Sequence, residues 1–343
     1  MLRLRAFVRS LLAIACAAAT GAAAAGDYTD VFFLGDSLTD PGNLALVTGS
    51  NPGQVITGNT YIPSQPYGSQ QFTNGDVWAK AFAAAIGLPL GGQPALLGGG
   101  NYAFGGARIA TDAADLPPSL SSQENLFLAS HGGSAPAGAL YVVAGGGNDA
   151  RDAFAAAMSM PDPSAALGVA AMSFAQSIGS IVDGLQGAGA RHIVVWDVPD
   201  LGLAPAVSSF GAGASFLGTL VSQTLNGALA ARLSDESGVS VFDVFGLQNR
   251  IVADPASFGL VNVTDACGAT SGCDPSTFLF WDGIHPTSAG HAILAREMLA
   301  TVAVPVPEPA ELVLMLAGLA LIGGRAATLR SRRGRNTRTT AQP

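Results

Sequence analysis

The sequence predicts an α/β fold: a three-layer, doubly wound and mostly parallel sheet. Two observations carry that reading. Short apolar runs bounded by turn residues, at Val31–Leu34, Leu140–Ala144, Ile193–Trp196 and Val239–Phe242, have the length and continuous hydrophobicity of buried parallel strands. Between them lie helical patterns at Val77–Ile86, Ala165–Leu185 and Leu217–Leu233, and strands alternating with helices build a parallel sheet. Asp76 stands where it would cap the first of these helices. Gly- and Pro-rich stretches at Gly49–Gln71, Gly87–Gly100 and Leu116–Gly138 read as long surface loops. There is no internal repeat, and the central body of about 280 residues fits a single α/β unit. Sheets of this kind bind ligands beyond the carboxyl ends of their strands, so chemistry is expected just after each strand.

Composition removes several classes. The chain has 343 residues, 49% hydrophobic and 12% charged, with a mean hydropathy of +0.38. Disorder needs low hydrophobicity and high net charge, and neither holds. The 44 Gly and 20 Pro follow no triplet period, which excludes collagen. No apolar run reaches the roughly 18–20 uninterrupted residues of a confident membrane span, so a polytopic membrane protein is not expected.

Both ends read as targeting segments. Arg3, Arg5 and Arg9 precede the apolar stretch Leu11–Ala19 and the small-residue run Ala22–Ala25, the order of a secretory signal peptide cleaved after Ala25. Cys16 would leave with it; lipoprotein cleavage before Cys16 would want Leu where Ala13 stands. At the other end Val304-Pro305-Val306-Pro307-Glu308-Pro309 leads into an apolar run from Leu312 to Gly324. Arg325, Arg330, Arg332, Arg333, Arg335 and Arg338 follow it. Flanking arginines favour keeping that side in the cytoplasm. This order of three features resembles the PEP-CTERM sorting signal of Gram-negative, exopolysaccharide-producing bacteria. The resemblance implies a transient membrane anchor removed by a sorting enzyme; the plainer alternative is a tail anchor. The domain reading is therefore residues 1–25 signal peptide, 26–304 globular body and 305–343 sorting tail, with export to the periplasm, cell surface or medium.

Removing the ends changes the charge. Nine of the 16 Lys and Arg and two of the 24 Asp and Glu lie in them, leaving seven cations against 22 anions, a body of net charge −15. Such a body has no basic footprint for nucleic acid. The body's two cysteines, Cys267 and Cys273, stand six apart, and in an exported chain they read as a loop-closing disulfide. The alternatives are free thiols, or half of a zinc site completed by His285 and His291.

Four blocks fall where chemistry is expected. They are Gly35-Asp36-Ser37-Leu38-Thr39-Asp40 after the first strand, Asn101-Tyr102-Ala103-Phe104-Gly105-Gly106-Ala107, Gly145-Gly146-Gly147-Asn148-Asp149 after the second strand, and Trp281-Asp282-Gly283-Ile284-His285-Pro286-Thr287. In this order they resemble the GDSL lipase/esterase family, also called SGNH hydrolases, over roughly Asp30 to Ala300. Gln71-Phe72-Thr73-Asn74-Gly75 also looks like a family segment.

Ser37 sits at a strand-to-helix turn, where its hydroxyl can project from the sheet edge. A serine is a weak nucleophile and needs an adjacent base. His285 is the candidate base, and Asp282 three residues earlier can fix its tautomer and stabilise the imidazolium. The resemblance implies an oxyanion hole made by the backbone N–H groups of Ser37 and Gly106 and the side-chain amide of Asn148. Sequence alone leaves Gly105 and Gly106 open, and aligning Asn101 to the family block favours Gly106. Each residue alone has a duller reading, as cap, turn or packed side chain; their ordered combination carries the weight. His131, His192 and His291 read as structural or solvated. Asp36, Asp40 and Asp149 flank the site and order its loops, without assigned chemistry. Tyr102, Phe104, Phe72 and Trp281 are candidates for an apolar acyl pocket or for core.

Rival readings are weaker. Gly98-x-Gly100-x-x-Ala103 and Gly145-x-Gly147-x-x-Ala150 fit a relaxed dinucleotide pattern, but in a chain this rich in Gly and Ala such hits are expected by chance. A complete G-x-S-x-G is absent. A non-catalytic envelope or matrix protein on this fold would have lost site residues, and here all five stand. The reading is an exported serine ester hydrolase acting through an acyl-enzyme on Ser37. It needs no metal or cofactor, and its partner is an ester of a lipid or acylated glycan. Acyl transfer to an alcohol or glycan, or carbohydrate-ester cleavage, is the alternative on the same fold.

Overall fold

Four five- or four-residue strands, β1 (Val31–Gly35), β2 (Leu140–Ala144), β3 (His192–Trp196) and β4 (Val239–Phe242), pair in the order β1-β2-β3-β4, every pair parallel. The register runs Val31 to Leu140, Leu140 to His192 and Ile193 to Val239. The computed structural model describes residues 28–49, 67, 70–112 and 117–302, and all but Val302 belong to a compact unit spanning Asp27–Thr301. The signal-peptide and sorting-tail segments lie outside the described residues, as does most of the predicted Gly49–Gln71 loop.

The strands form because their side chains are buried on both faces. Phe32, Leu34, Tyr141, Val143, Ile193 and Val195 point into one core cluster. Phe33 and Trp196 point the other way, onto Trp78, whose ring lies 5.5 Å and 4.4 Å from theirs. Helices on both faces complete three layers, as the alternation predicted. β4 departs from the reading of buried strands: it is the sheet edge, with Ser240 and Val241 exposed. The other edge is extended without a regular strand. Gly100 accepts from Phe33 N–H, and Tyr102 and Phe104 donate to Phe33 and Gly35 carbonyls at 2.8 and 3.1 Å. The Asn101 block thus runs parallel beside β1.

Among the described residues the helices are α1 (Asn43–Thr48), α2 (Trp78–Ala85), α3 (Leu120–Ser130), α4 (Gly147–Met158), α5 (Ser164–Ala188), α6 (Pro205–Ser208), α7 (Ala212–Leu233), α8 (Val244–Ala253) and α9 (Ser288–Val302). α5 is long and apolar enough to cross a membrane by length and composition, yet it lays Leu167, Ala171, Phe174, Ile178, Ile181, Val182 and Leu185 into the core. Their spacing follows the helical period.

Two expectations are corrected. The Leu116–Gly138 stretch is not all loop, because it contains α3. Ser119 caps that helix by accepting from Ser122 N–H, and Leu120, Gln123, Glu124 and Phe127 are its buried face. With two of those four polar, no apolar period marked it. Asp76 does not cap α2 either, since Val77 is the N-cap. Gln71 Oε1 accepts Val77 N–H at 2.8 Å and His291 Nδ1 accepts Trp78 N–H at 3.2 Å. Asp76 instead takes Lys80 and Gln71.

A second, two-stranded parallel sheet joins β5 (Asn262–Ala266) to β6 (Phe278–Phe280). The disulfide Cys267–Cys273 closes the loop between them, which removes the free-thiol and zinc alternatives.

Candidate active site

β1 ends at Gly35, and the turn carrying Ser37 follows. Thr39 and Asp40 N–H groups return to Asp36 O at 3.0 and 2.9 Å, and Asp36 Oδ1 accepts Leu38 N–H at 3.0 Å. A Cβ at position 35 would lie 2.7 Å from Ala144 O and 2.9 Å from Thr39 Cβ, so only glycine lets this turn sit against β2. Gln123 of α3 binds both backbone groups of Gly35, accepting from N–H at 2.8 Å and donating to O at 2.9 Å. Asp40 spans two blocks: it accepts from Gly42, Asn43 and Leu44 N–H at the start of α1 and from Gly105 N–H at 2.8 Å.

The loop between β6 and α9 carries the other partners. Asp282 Oδ1 accepts the N–H groups of Ile284 and His285, each at 2.7 Å, an Asx-type turn that explains why Asp and His stand three apart. Trp281 N–H donates to His285 O at 2.8 Å and closes the loop. Asp282 Oδ2 then accepts His285 Nδ1 at 2.6 Å, and His285 Nε2 stands 2.8 Å from Ser37 Oγ. The structure brings Ser37, His285 and Asp282 into one buried hydrogen-bond chain. Burial alone would raise the Asp282 carboxyl, but His285 and the converging donors outweigh it and hold the group below the usual carboxylate range.

One of those donors was hidden in the sequence. Tyr67, in the stretch read as loop, is buried and donates its hydroxyl to Asp282 Oδ2 at 2.5 Å. Burial, with Asp282 beside it, pushes the phenol above its ordinary pKa, so it stays a donor. Tyr67 packs with Trp281 and Cys267, and Phe72, Cys273 and Phe278 pack against that cluster. The disulfide therefore backs the Asp282–His285 loop. The Gln71–Gly75 segment supports the same loop: Phe72 lies 5.3 Å from the His285 ring, and Asn74 Oδ1 accepts Ser288 N–H at the start of α9.

The N–H donors sort themselves. Gly105 N–H is taken by Asp40, whereas the N–H groups of Ser37 and Gly106 donate to no partner among the described residues. Gly106 has φ +83°, a conformation that side chains rarely adopt. Asn148 Nδ2 spends one hydrogen on Ala107 O at 2.9 Å, which fixes the amide and leaves its second hydrogen free.

The flanking acids are structural anchors. Burial pushes Asp36 up to about 6, against the pull of Leu38 N–H and His285; Asp149 is also raised to about 6 by burial and accepts Ile109 N–H. His291 is fully buried and neutral, its pKa driven down to about 3 by desolvation, and it serves as the α2 cap. His131 bonds Phe127 O, and His192 meets Tyr28 edge-on.

A cleft opens at Ser37 and His285. Its walls are Leu201 and Ala204, Val244, Leu247 and Ile251 of α8, Leu279 and Phe280 of β6, Ile284, and Leu294 of α9, with Asn148 and Arg151 from α4. Its lining excludes the four aromatic candidates. Tyr102, Phe104 and Trp281 are buried in the core, and Phe72 backs His285. Apart from Ile284, the apolar walls named here come from chain regions that no motif flagged.

A Ser–His–Asp hydrogen-bond chain at the carboxyl edge of a parallel sheet, opening on an apolar cleft, is the arrangement of an α/β serine hydrolase. Residues 31–298 match the sequence profile described as GDSL-like Lipase/Acylhydrolase, and the chain belongs to that family, one of serine ester hydrolases. It is 30% identical to Esterase EstA of Pseudomonas aeruginosa over 313 residues, covering 80% of this chain and 46% of the esterase. It thus spans about half the length of that relative. Lipase 1 of Photorhabdus luminescens is 31% identical over 208 residues, 60% of this chain and 27% of the lipase. The crystal structure of LAE5, described as an alpha/beta hydrolase enzyme from the metagenome of Lake Arreo, superposes with a TM-score of 0.46 at 14% identity. That match covers 82% of this chain and 98% of the other.

Proposed function

We propose that the protein is an exported serine ester hydrolase whose catalytic triad is Ser37, His285 and Asp282. The observation that carries this reading is the continuous chain from Ser37 Oγ through His285 to an Asp282 carboxylate that accepts four hydrogen bonds. As Ser37 Oγ bonds to the ester carbonyl carbon, His285 Nε2 takes its proton and becomes an imidazolium stabilised by Asp282. The carbonyl oxygen, now an anion, is met by the N–H groups of Ser37 and Gly106 and the free amide hydrogen of Asn148. Collapse breaks the bond to the leaving alcohol, which takes the proton from His285. Water then adds to the acyl-enzyme with His285 again as base, releasing acid and restoring Ser37. The apolar cleft suits an acyl chain.

Export rests on the Arg-apolar-Ala order of residues 1–25, and the disulfide is consistent with an oxidising compartment. The Val-Pro-Glu-Pro, apolar-run and Arg-cluster order supports a PEP-CTERM-type tail that anchors the chain transiently until a sorting enzyme removes it. The test is hydrolysis of esters from acetyl to palmitoyl by the expressed protein, with Ser37→Ala alongside. Turnover lost in Ser37→Ala at unchanged melting temperature supports the reading; turnover retained overturns it. Intact mass of the native extracellular form tests the tail, since retention of residues 312–343 contradicts sorting.

A further inference from the structure

Resting on that reading, we propose that Arg151 selects esters whose alcohol half carries an anion, a carboxylate or a phosphate. The described residues hold seven Lys and Arg, and six are engaged. Lys80, Arg108, Arg232, Arg250 and Arg296 pair with carboxylates, and Arg191 donates to Ala190 O. Arg151 alone has no ion pair or hydrogen bond among the described residues, and it lines the catalytic cleft. It stands on α4 three residues after Asn148, so the two share one helix face.

The acids on its own helix and in the cleft lining each have other partners. On its own helix, Asp149 accepts Ile109 N–H and Asp152 holds Arg108. In the cleft, Asp36 accepts Leu38 N–H, and Asp200 accepts Gly202 N–H, Thr219 Oγ1 and Asn249 Nδ2. Arg151 is exposed at the cleft and is the one Lys or Arg among its lining residues, and its planar fork of donors matches carboxylate or phosphate. The apolar lining from α8, β6 and α9 takes the acyl chain, which leaves the polar α4 side, beside Asn148, to the alcohol. The net charge of −15 on residues 26–304 disfavours docking on an anionic bilayer, whereas Arg151 acts on a single anion within a Debye length of about 8 Å.

The experiment measures kcat/KM for an O-acetyl uronate beside its neutral methyl ester, and for acylglycerol 3-phosphate beside monoacylglycerol, in wild type, Arg151→Gln and Arg151→Lys. A third pair, 4-nitrophenyl hemisuccinate beside the butyrate, puts the anion on the acyl half. We expect the anionic-to-neutral ratio to fall about tenfold in Arg151→Gln for one or both alcohol-side pairs, chiefly through KM, with partial rescue by Arg151→Lys. Which pair responds separates a sugar acid from a glycerophosphate. Ratios equal within twofold in wild type and Arg151→Gln overturn the proposal, as does a change confined to the succinyl pair. Turnover that survives Ser37→Ala would instead overturn the esterase reading, so the two failures are distinguishable.

Discussion

Tyr67→Phe removes one oxygen from the buried face of Asp282 and leaves the ring that packs on Phe72. The lost hydrogen bond is 2.5 Å long, made to an ionised group with no solvent exposure. A hydrogen bond to a charged group is worth about 1.5–3 kcal/mol. Three donors remain on Asp282, at 2.6–2.7 Å, and take up part of the loss. If about half of it reaches the Asp282–His285 pair, the change is about 1 kcal/mol, or somewhat under one pKa unit. The sign follows from the charge: an Asp282 anion with one fewer donor is less stable and attracts the His285 proton more strongly. Both effects make the pair hold a proton to higher pH. The acid limb of kcat/KM therefore moves up by about 0.5–1 unit, and the plateau above it falls three- to tenfold as the imidazole loses its fixed orientation. The assay is the pH profile of ester hydrolysis for both proteins, with melting temperature as control. An acid limb unmoved within 0.2 unit, with an unchanged plateau, would reduce Tyr67 to packing and refute the reasoning.

Three further outcomes follow from other parts of the structure. Asn148→Ala, which removes the free amide hydrogen beside Gly106, lowers kcat by about two to three orders of magnitude with little change in KM; single-turnover kinetics on an activated ester checks it. Glu124 is buried against α5 without a hydrogen bond among the described residues, and desolvation raises it to about 7. Its stabilising contribution is complete below the unfolded value near 4.5 and lost as pH rises through about 7. Glu124→Gln accordingly gains about 1–2 kcal/mol at pH 8 and almost nothing at pH 4.5, read as a melting-temperature difference that grows with pH. Replacing Cys267 and Cys273 together by Ser opens a short loop whose closure is worth about 2 kcal/mol, lowering the melting temperature by about 4–8 °C. Calorimetry of oxidised and double-Ser proteins measures it.

The sheet was legible because its signals are local, and the Ser37–His285–Asp282 chain because four ordered blocks resemble those of a known family. Val31–Leu34 and Leu140–Ala144 are apolar on both faces, and an Asx turn places Asp282 and His285 at a fixed spacing. What escaped depends on long-range pairing. Gln123 binds Gly35 across 88 positions and Tyr67 binds Asp282 across 215, and a lone Gln or Tyr in a polar stretch announces neither. α3 was read as loop because Gln123 and Glu124 occupy half of its buried face. Asp76 had the right identity for a cap, but Gln71 and His291 reached the free N–H groups first. The choice between Gly105 and Gly106 needed the knowledge that Asp40, from another block, consumes the Gly105 N–H. The cleft lining on α8 and β6 is ordinary apolar sequence that acquires meaning only from the surface it faces.

The measurement that tests the central claim most directly is covalent labelling with an alkyl fluorophosphonate, followed by intact mass and peptide mapping. A nucleophilic Ser37 takes one label per chain, stoichiometric with loss of ester hydrolysis. Ser37→Ala takes none, and His285→Ala labels far more slowly. A label on another serine, or full hydrolysis by protein whose Ser37 carries the label, would contradict the account.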